Sequence, residues 1–383
     1  MNPTIVDLHS HYPMHLLPVG RRRSQGWLKW HVRKLILMLA NRFFNYPGDG
    51  DEPAVTAQTL TKSDVRVALS MLLLPFDDID LEQPYGAPPK NSYYVDLVDL
   101  IDVVEKDVRR WANAPDNLPI TIAHDLGEMK AALATGKVAL IHAVEGGVYL
   151  GDTPQDVRKN VAALSKRGVA YITLAHLFYR RIVTNAPAIP LLPDWLYRVC
   201  FVQPDIGLTE LGREAVKSMV ENKIIVDLAH MSAKAIEETL DLLDAHDKTT
   251  PVIAGHCACR FVRNVEYNIP DEIIRRIAMR NGVVGLIACK HWMSPTQARA
   301  RDFEDSIRLI FRHAEHIRGV VGDHDHTAFG SDLDGFIKPS LPGLDRPAAF
   351  TDVHARLSHK FGAAAANKIC SENALRVLGL GWR

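Results

Sequence analysis

Seven side chains carry the strongest chemical signal in this sequence: His9, His11, Glu145, His176, His230, His256 and Asp332. Imidazole and carboxylate are the usual ligands of a catalytic divalent metal, and both move protons near neutral pH. His9 and His11 stand two apart, so an extended segment turns both to one side, which suits two ligands on one ion. Taken singly, each residue has a plainer reading. Glu145, before Gly146 and Gly147, reads as a capping or loop carboxylate. His230 precedes Ser232, a natural helix N-cap, and it and His256 read as satisfied core histidines. Asp332 reads as a turn brace with Asp334. What joins them is position.

Eight short aliphatic or β-branched runs are predicted strands: 4–8, 65–74, 138–144, 169–174, 224–228, 251–254, 283–287 and 327–329. Between most of them lie helical patterns with charge on one face, at 210–221, 233–245, 270–281 and 303–318. Apolar strands alternating with helices predict a parallel sheet covered by helices. Eight such units predict an α/β fold of the (β/α)8 TIM-barrel type. The first, third, fourth, fifth, sixth and eighth strands each end at one of the seven residues, and a parallel barrel builds its active site at that carboxyl edge. Six independent accidents at one edge are improbable, so the residues together read as a metal site. No Gly-rich phosphate loop follows a strand, which argues against an open dinucleotide-binding sheet.

Other histidines carry no such signal. His142 is three before Glu145 and faces the helices. His324 and His326 read as loop residues, and His313 and His316 as residues of a polar helix. Cys257 and Cys259 beside His256 read as small buried residues before thiolate ligands.

The chain of 383 residues reads as one barrel domain, with an insertion around 20–60 and a long loop around 177–208. The insertion bears Arg21, Arg22, Arg23, Lys29, Arg33 and Lys34; it reads as a lid or packing helix at the barrel mouth, and less well as a membrane-surface helix. The loop carries Phe178, Tyr179, Trp195 and Phe201, and either lines a substrate pocket or caps the barrel. Forty-five basic and 45 acidic residues leave no net charge, so no field recruits nucleic acid. No apolar run reaches the ~18 residues of a membrane span, no secretory signal is visible, and five cysteines fit a cytoplasmic location.

Several segments together resemble the renal-type (membrane) dipeptidase family, metallopeptidase family M19 of the amidohydrolase superfamily. They are Val144–Gly147, Gly207–Thr209 with Gly212 and Arg213, Val226–Ser232, Gly330–Gly335 and Glu372–Leu378. The resemblance implies two zinc ions: one on His9 and His11, a second on His230 and His256, and Glu145 bridging them. It places Asp332 beside the first zinc and His176 against a small-molecule substrate, and it implies a homodimer. Two departures stand out. The family's first strand carries H-x-D where this chain has His9-x-His11. The family's substrate-carboxylate arginine falls at Tyr267, which cannot make a bidentate charged contact. Arg260 or Arg263 then reaches in instead, or the substrate lacks a free α-carboxylate.

The expected activity is zinc-dependent hydrolysis of a dipeptide amide bond by a metal-bridging hydroxide. His176 would donate to the developing oxyanion, and Asp332 would carry the proton to the leaving amine. The alternatives are an amidohydrolase acting on another amide or a lactone, such as an N-acyl amino acid, and a non-catalytic binding barrel.

Overall fold

The computed structural model describes residues 4–17, 52–80, 82–115, 118–190, 192–296, 300–335 and 340–383. Most of the insertion expected around 20–60 therefore lies outside the described residues, and with it the expected lid helix.

All eight expected strands form: β1 (Ile5–Ser10), β2 (Val65–Leu72), β4 (Val138–Glu145), β5 (Tyr171–Thr173), β6 (Ile225–Asp227), β7 (Val252–Cys257), β8 (Val283–Leu286) and β9 (Thr327–Phe329). They pair in parallel in that order. A further strand, β3 (Ile120–Ile122), lies off this path and pairs only with β4. The physical reason is edge sharing. One edge of β4 is taken by β2, from Val67↔Ala139 to Leu72↔Val144. Along its other edge β3 pairs with residues 138–140, and β5 joins only at Val144 and Glu145.

The β1–β9 seam closes beyond the regular strands. Asp332 N–H donates to the His9 carbonyl at 2.8 Å, and His11 N–H donates to that of Leu333 at 2.9 Å. Closure needs close approach. A Cβ at Gly330 would stand 1.8 Å from the Gly255 carbonyl oxygen, so no larger residue fits there.

Alternation divides the core. Val67, Leu69 and Met71 of β2 cluster with Ala139, Ile141 and Ala143 of β4, and with Leu8, Tyr171, Ile225, Ile253, Val283 and Ala328 from the other strands. This set fills the barrel. Ala68, Leu72, Leu140 and Val144 face the other way, into the layer shared with the helices. The helices at 91–112, 154–166, 210–221, 233–246, 271–279 and 303–321 supply that layer. Most start at side-chain caps, such as Thr153, Thr209, Ser232 and Asp302. The C-terminal helix Asn373–Gly381 closes the lower end, with Gly381 packed on Ile225 and Pro251 at the strand starts.

His313 departs from the polar-face reading. It is fully buried, accepts the Cys259 N–H through Nδ1 at 3.0 Å, and reaches the Met293 carbonyl through Nε2 at 3.0 Å. It thus ties the end of β7 to the helix 303–321. Burial pushes its pKa from 6.5 down to about 4. The unfolded chain binds this proton below pH 6.5 and the folded chain does not, so stability falls as pH drops from 6.5 to 4. This group accounts for about 3 kcal/mol of that loss. His313→Asn is expected to be less stable at pH 7.5 but to lose stability less steeply on acidification, measured by denaturant unfolding across that range.

Candidate metal centre and pocket

The strand ends bring all seven of the expected residues together. Glu145, at the end of β4, is only 1% exposed. His9 Nε2, His230 Nε2 and His256 Nε2 each lie 3.4 Å from its Oε1, and His11 Nε2 lies 3.5 Å from its Oε2. Asp332 Oδ1 stands 2.9 Å from His11 Nε2 and 3.7 Å from His9 Nε2. His176 approaches Glu145 Oε2 at 3.6 Å from the far side.

Two overlapping triads follow: His9, His11 and Glu145, and Glu145, His230 and His256. In each, the ligand atoms lie within 4.8 Å of one another. Glu145 belongs to both, as a carboxylate shared between two cations would. His230 Nε2 and His256 Nε2 are 2.9 Å apart, and His9 Nε2 and Glu145 Oε2 are buried without a hydrogen-bond partner. Buried polar atoms aimed at one point and left unsatisfied are what a metal ion explains. The nitrogen and oxygen donors fit a borderline divalent cation.

Electrostatics agree. Burial alone would raise the Glu145 pKa, but the His176 and His9 charges and the close approach of His230 hold it well below the usual carboxylate range. Burial lowers His230 and His256, which keeps their lone pairs free. His9 moves up, because Glu145 and Asp332 outweigh its burial; a bound cation displaces that proton. His176 reaches about 9: burial opposes its charge, but Glu145 and Asp78 prevail.

A supporting layer was not read from the sequence. Asp227 accepts from Thr173 Oγ1 (2.7 Å), Ala229 N (3.0 Å) and Gly255 N (2.7 Å), linking the ends of β5, β6 and β7. Those bonds commit it, although it also lies within ligand reach of His9 and His256. Asp7 accepts from Ser331 N (2.8 Å), Ser331 Oγ (2.6 Å) and His9 N (3.2 Å), linking β1 to the segment that bears Asp332. The Tyr171 hydroxyl donates to the Leu8 carbonyl and meets His9 Nδ1 at 2.9 Å, which leaves Nε2 for the centre. Asp78 holds His176 Nδ1 at 2.9 Å. The available signals were Asp7 two before His9, Asp227 three before His230, and Asp77-Asp78 just past the second strand.

His230 (φ +63°) and Asp332 (φ +58°) occupy the left-handed region, a conformation that non-glycine residues hold mainly where the surroundings impose it. A narrow pocket lies above the centre. Leu177, Ala188, Tyr267 and Trp292 wall it, together with the polar cluster. The 177–208 loop thus lines the pocket through Leu177 and Ala188.

Of the expected substrate contacts, the pocket contains His176 and Tyr267 but not Arg260 or Arg263. Arg260 donates through Nε to the Asn268 carbonyl (2.9 Å) and through Nη2 to that of Glu266 (2.7 Å). Arg263 donates through Nη1 to the Pro295 carbonyl at 2.9 Å. Both guanidinium groups brace local backbone instead. Tyr267 is a wall: its hydroxyl donates to the His256 carbonyl at 2.6 Å and its ring stacks on Trp292 at 4.5 Å. Cys257 and Cys259 are buried, and burial raises both thiol pKa values, which disfavours thiolate ligands.

The chain is thus a parallel barrel with a histidine–carboxylate cluster at its carboxyl edge, a candidate metal site. The sequence model of the membrane dipeptidase family (Peptidase family M19) matches residues 89–380, and the chain belongs to that family. It is 26% identical over 286 residues to the dipeptidase tcpJ of Claviceps purpurea, an alignment covering 74% of this chain and 59% of that protein's length. Two crystal structures share the fold. The dipeptidase AC of family M19 superposes with a TM-score of 0.75 at 19% identity, covering 100% of this chain and 99% of that one. A Rhodobacter sphaeroides metallopeptidase, liganded with a phosphinate mimic of L-Ala-D-Ala, gives 0.74 at 19% identity, covering 100% of both chains. "Membrane" is part of the family's name; among the described residues no helix is long and apolar enough to cross one.

Asp227→Ala is expected to leave three buried donors unpaired and cost roughly 2–5 kcal/mol. Metal affinity should fall about 10- to 100-fold, because His230 and His256 lose their shared support. Thermal unfolding and metal titration of the purified variant check both.

Proposed function

We propose that this chain is a dipeptidase that hydrolyses the amide bond at a centre of two zinc ions bridged by Glu145. The observation that carries the reading is Glu145's membership in both ligand triads. His9 and His11 would hold one ion, His230 and His256 the other, with Asp332 beside the first. Zinc held there supplies a Lewis acid and makes water acidic enough to attack near neutral pH.

The chain's own residues do the rest. Leu177, Tyr267 and Trp292 exclude bulk water from the pocket and strengthen every charge within it. His176, kept cationic by Glu145 and Asp78, points Nε2 inward and donates to the oxygen of the scissile carbonyl as charge develops on it. Asp332 accepts the proton from the attacking water and returns it to the leaving amine.

A second reading has one observation in its favour. Among the described residues, no lysine or arginine lines the pocket over the centre, which suits an amide or lactone with an uncharged acyl group. Five free thiols support a reducing, cytoplasmic setting.

Purified enzyme should bind about two zinc ions per chain, lose activity to a chelator and regain it with zinc; full activity without metal would overturn the proposal. A panel of dipeptides, N-acyl amino acids and lactones separates the two readings. Asp332→Asn should keep its metal and lose turnover by about 10²- to 10⁴-fold, while Asp78→Asn should lower kcat with less effect on metal content.

A further inference from the structure

A second, narrow pocket adjoins the first, and His176 lines both. Asp78, Gly146, Phe178, Arg180 and Ile182 are among its other walls. Arg180 is the unusual member. It is 5% exposed, yet no carboxylate among the described residues forms an ion pair with it. Its Nη2 donates to the Tyr93 hydroxyl at 2.9 Å, and its guanidinium lies 5.6 Å from the centre of that ring. Its Nε is buried with no partner.

The surrounding charges are already matched. Tyr93 gives its own proton to Asp80, which Lys90 also neutralises. Asp78, the carboxylate on the cavity wall, is engaged by His176 at 2.9 Å. Arg180 is therefore the unbalanced charge of this cavity. A buried guanidinium without an anion is costly, and its planar fork suits a carboxylate. The pocket over the centre lacks any such group, and both Arg260 and Arg263 are spent on backbone carbonyls.

We propose that Arg180 and its cavity form a carboxylate subsite, on the Asp78 side of the His176 ring, that takes the free carboxylate of the substrate. This rests on the dipeptide reading, since an uncharged substrate would have no use for it. It makes Arg180 a specificity-determining residue in a position the family resemblance did not single out.

The test compares kcat/KM for alanyl-alanine and for its C-terminal amide in the wild type, Arg180→Met and Arg180→Lys, each at matched zinc content. The wild type should prefer the acid. In Arg180→Met that preference should fall by roughly 10- to 100-fold, mainly through KM for the acid; Arg180→Lys should retain part of it. A purely structural role would lower both substrates together and keep the ratio, which overturns the proposal. Calorimetry with propionate gives a readout without turnover: the wild type should bind it and Arg180→Met should not. If the wild type cleaves neither peptide, the dipeptide reading fails, and propionate still decides the subsite. Binding that depends on Arg180 then assigns the cavity to a free carboxylic acid, and equal or absent binding in both proteins removes it.

Discussion

The constraint on which the structure turns is the burial of one ionised carboxylate. Glu145 sits at the end of a wholly buried strand, cut off from water. A lone carboxylate there would take up a proton instead of staying charged. It stays charged because five imidazoles converge on it from β1, β5, β6 and β7 and from the turn after β1. The same convergence makes a candidate cation site, since four of the Nε2 atoms that face Glu145 belong to the two ligand triads and His9 Nε2 has no hydrogen-bond partner. Metal binding and carboxylate burial are thus one problem with one solution.

That solution depends on how the strand ends are held. Asp7 and Asp227 work in parallel: each is a buried carboxylate that accepts backbone and hydroxyl donors from neighbouring strands. Asp7 closes the barrel between its first and last strands, and Asp227 spaces the three strands opposite. Hydrogen bonds to such groups are stronger in a dry interior, so they hold the strand ends that carry the rings. The left-handed backbone at His230 and Asp332 is the local strain that this bracing sustains.

Substrate choice is separated from the chemistry. The polar cluster occupies the floor, whereas the walls come from loops: Leu177 and Ala188 from one, Tyr267 and Trp292 from two others. Tyr267 stands where the family resemblance calls for an arginine, and its hydroxyl is committed to the His256 carbonyl. The wall therefore supports the strand that carries His256 and offers no charge. Cationic recognition, if the substrate demands it, falls to Arg180 behind His176.

The sequence by itself determined the strands and the barrel, and it singled out the side chains that the fold brings together around Glu145. Aliphatic runs and amphipathic helices report burial directly, and a polar residue at the end of an apolar run is conspicuous, as at Glu145 and His256. It could not determine β3, which takes only part of an edge of β4 that β5 also joins, or the burial of His313, because helical spacing does not tell which polar residue meets a strand end. It also could not assign Asp7, Asp227 and Asp78 their supporting roles, or show that Arg260 and Arg263 turn to carbonyls while Arg180 lines a cavity. Local pattern encodes which face of an element is buried. Which partner a side chain finds there depends on residues tens or hundreds of positions away, as with Asp7 and Ser331, and only the closed barrel brings those together.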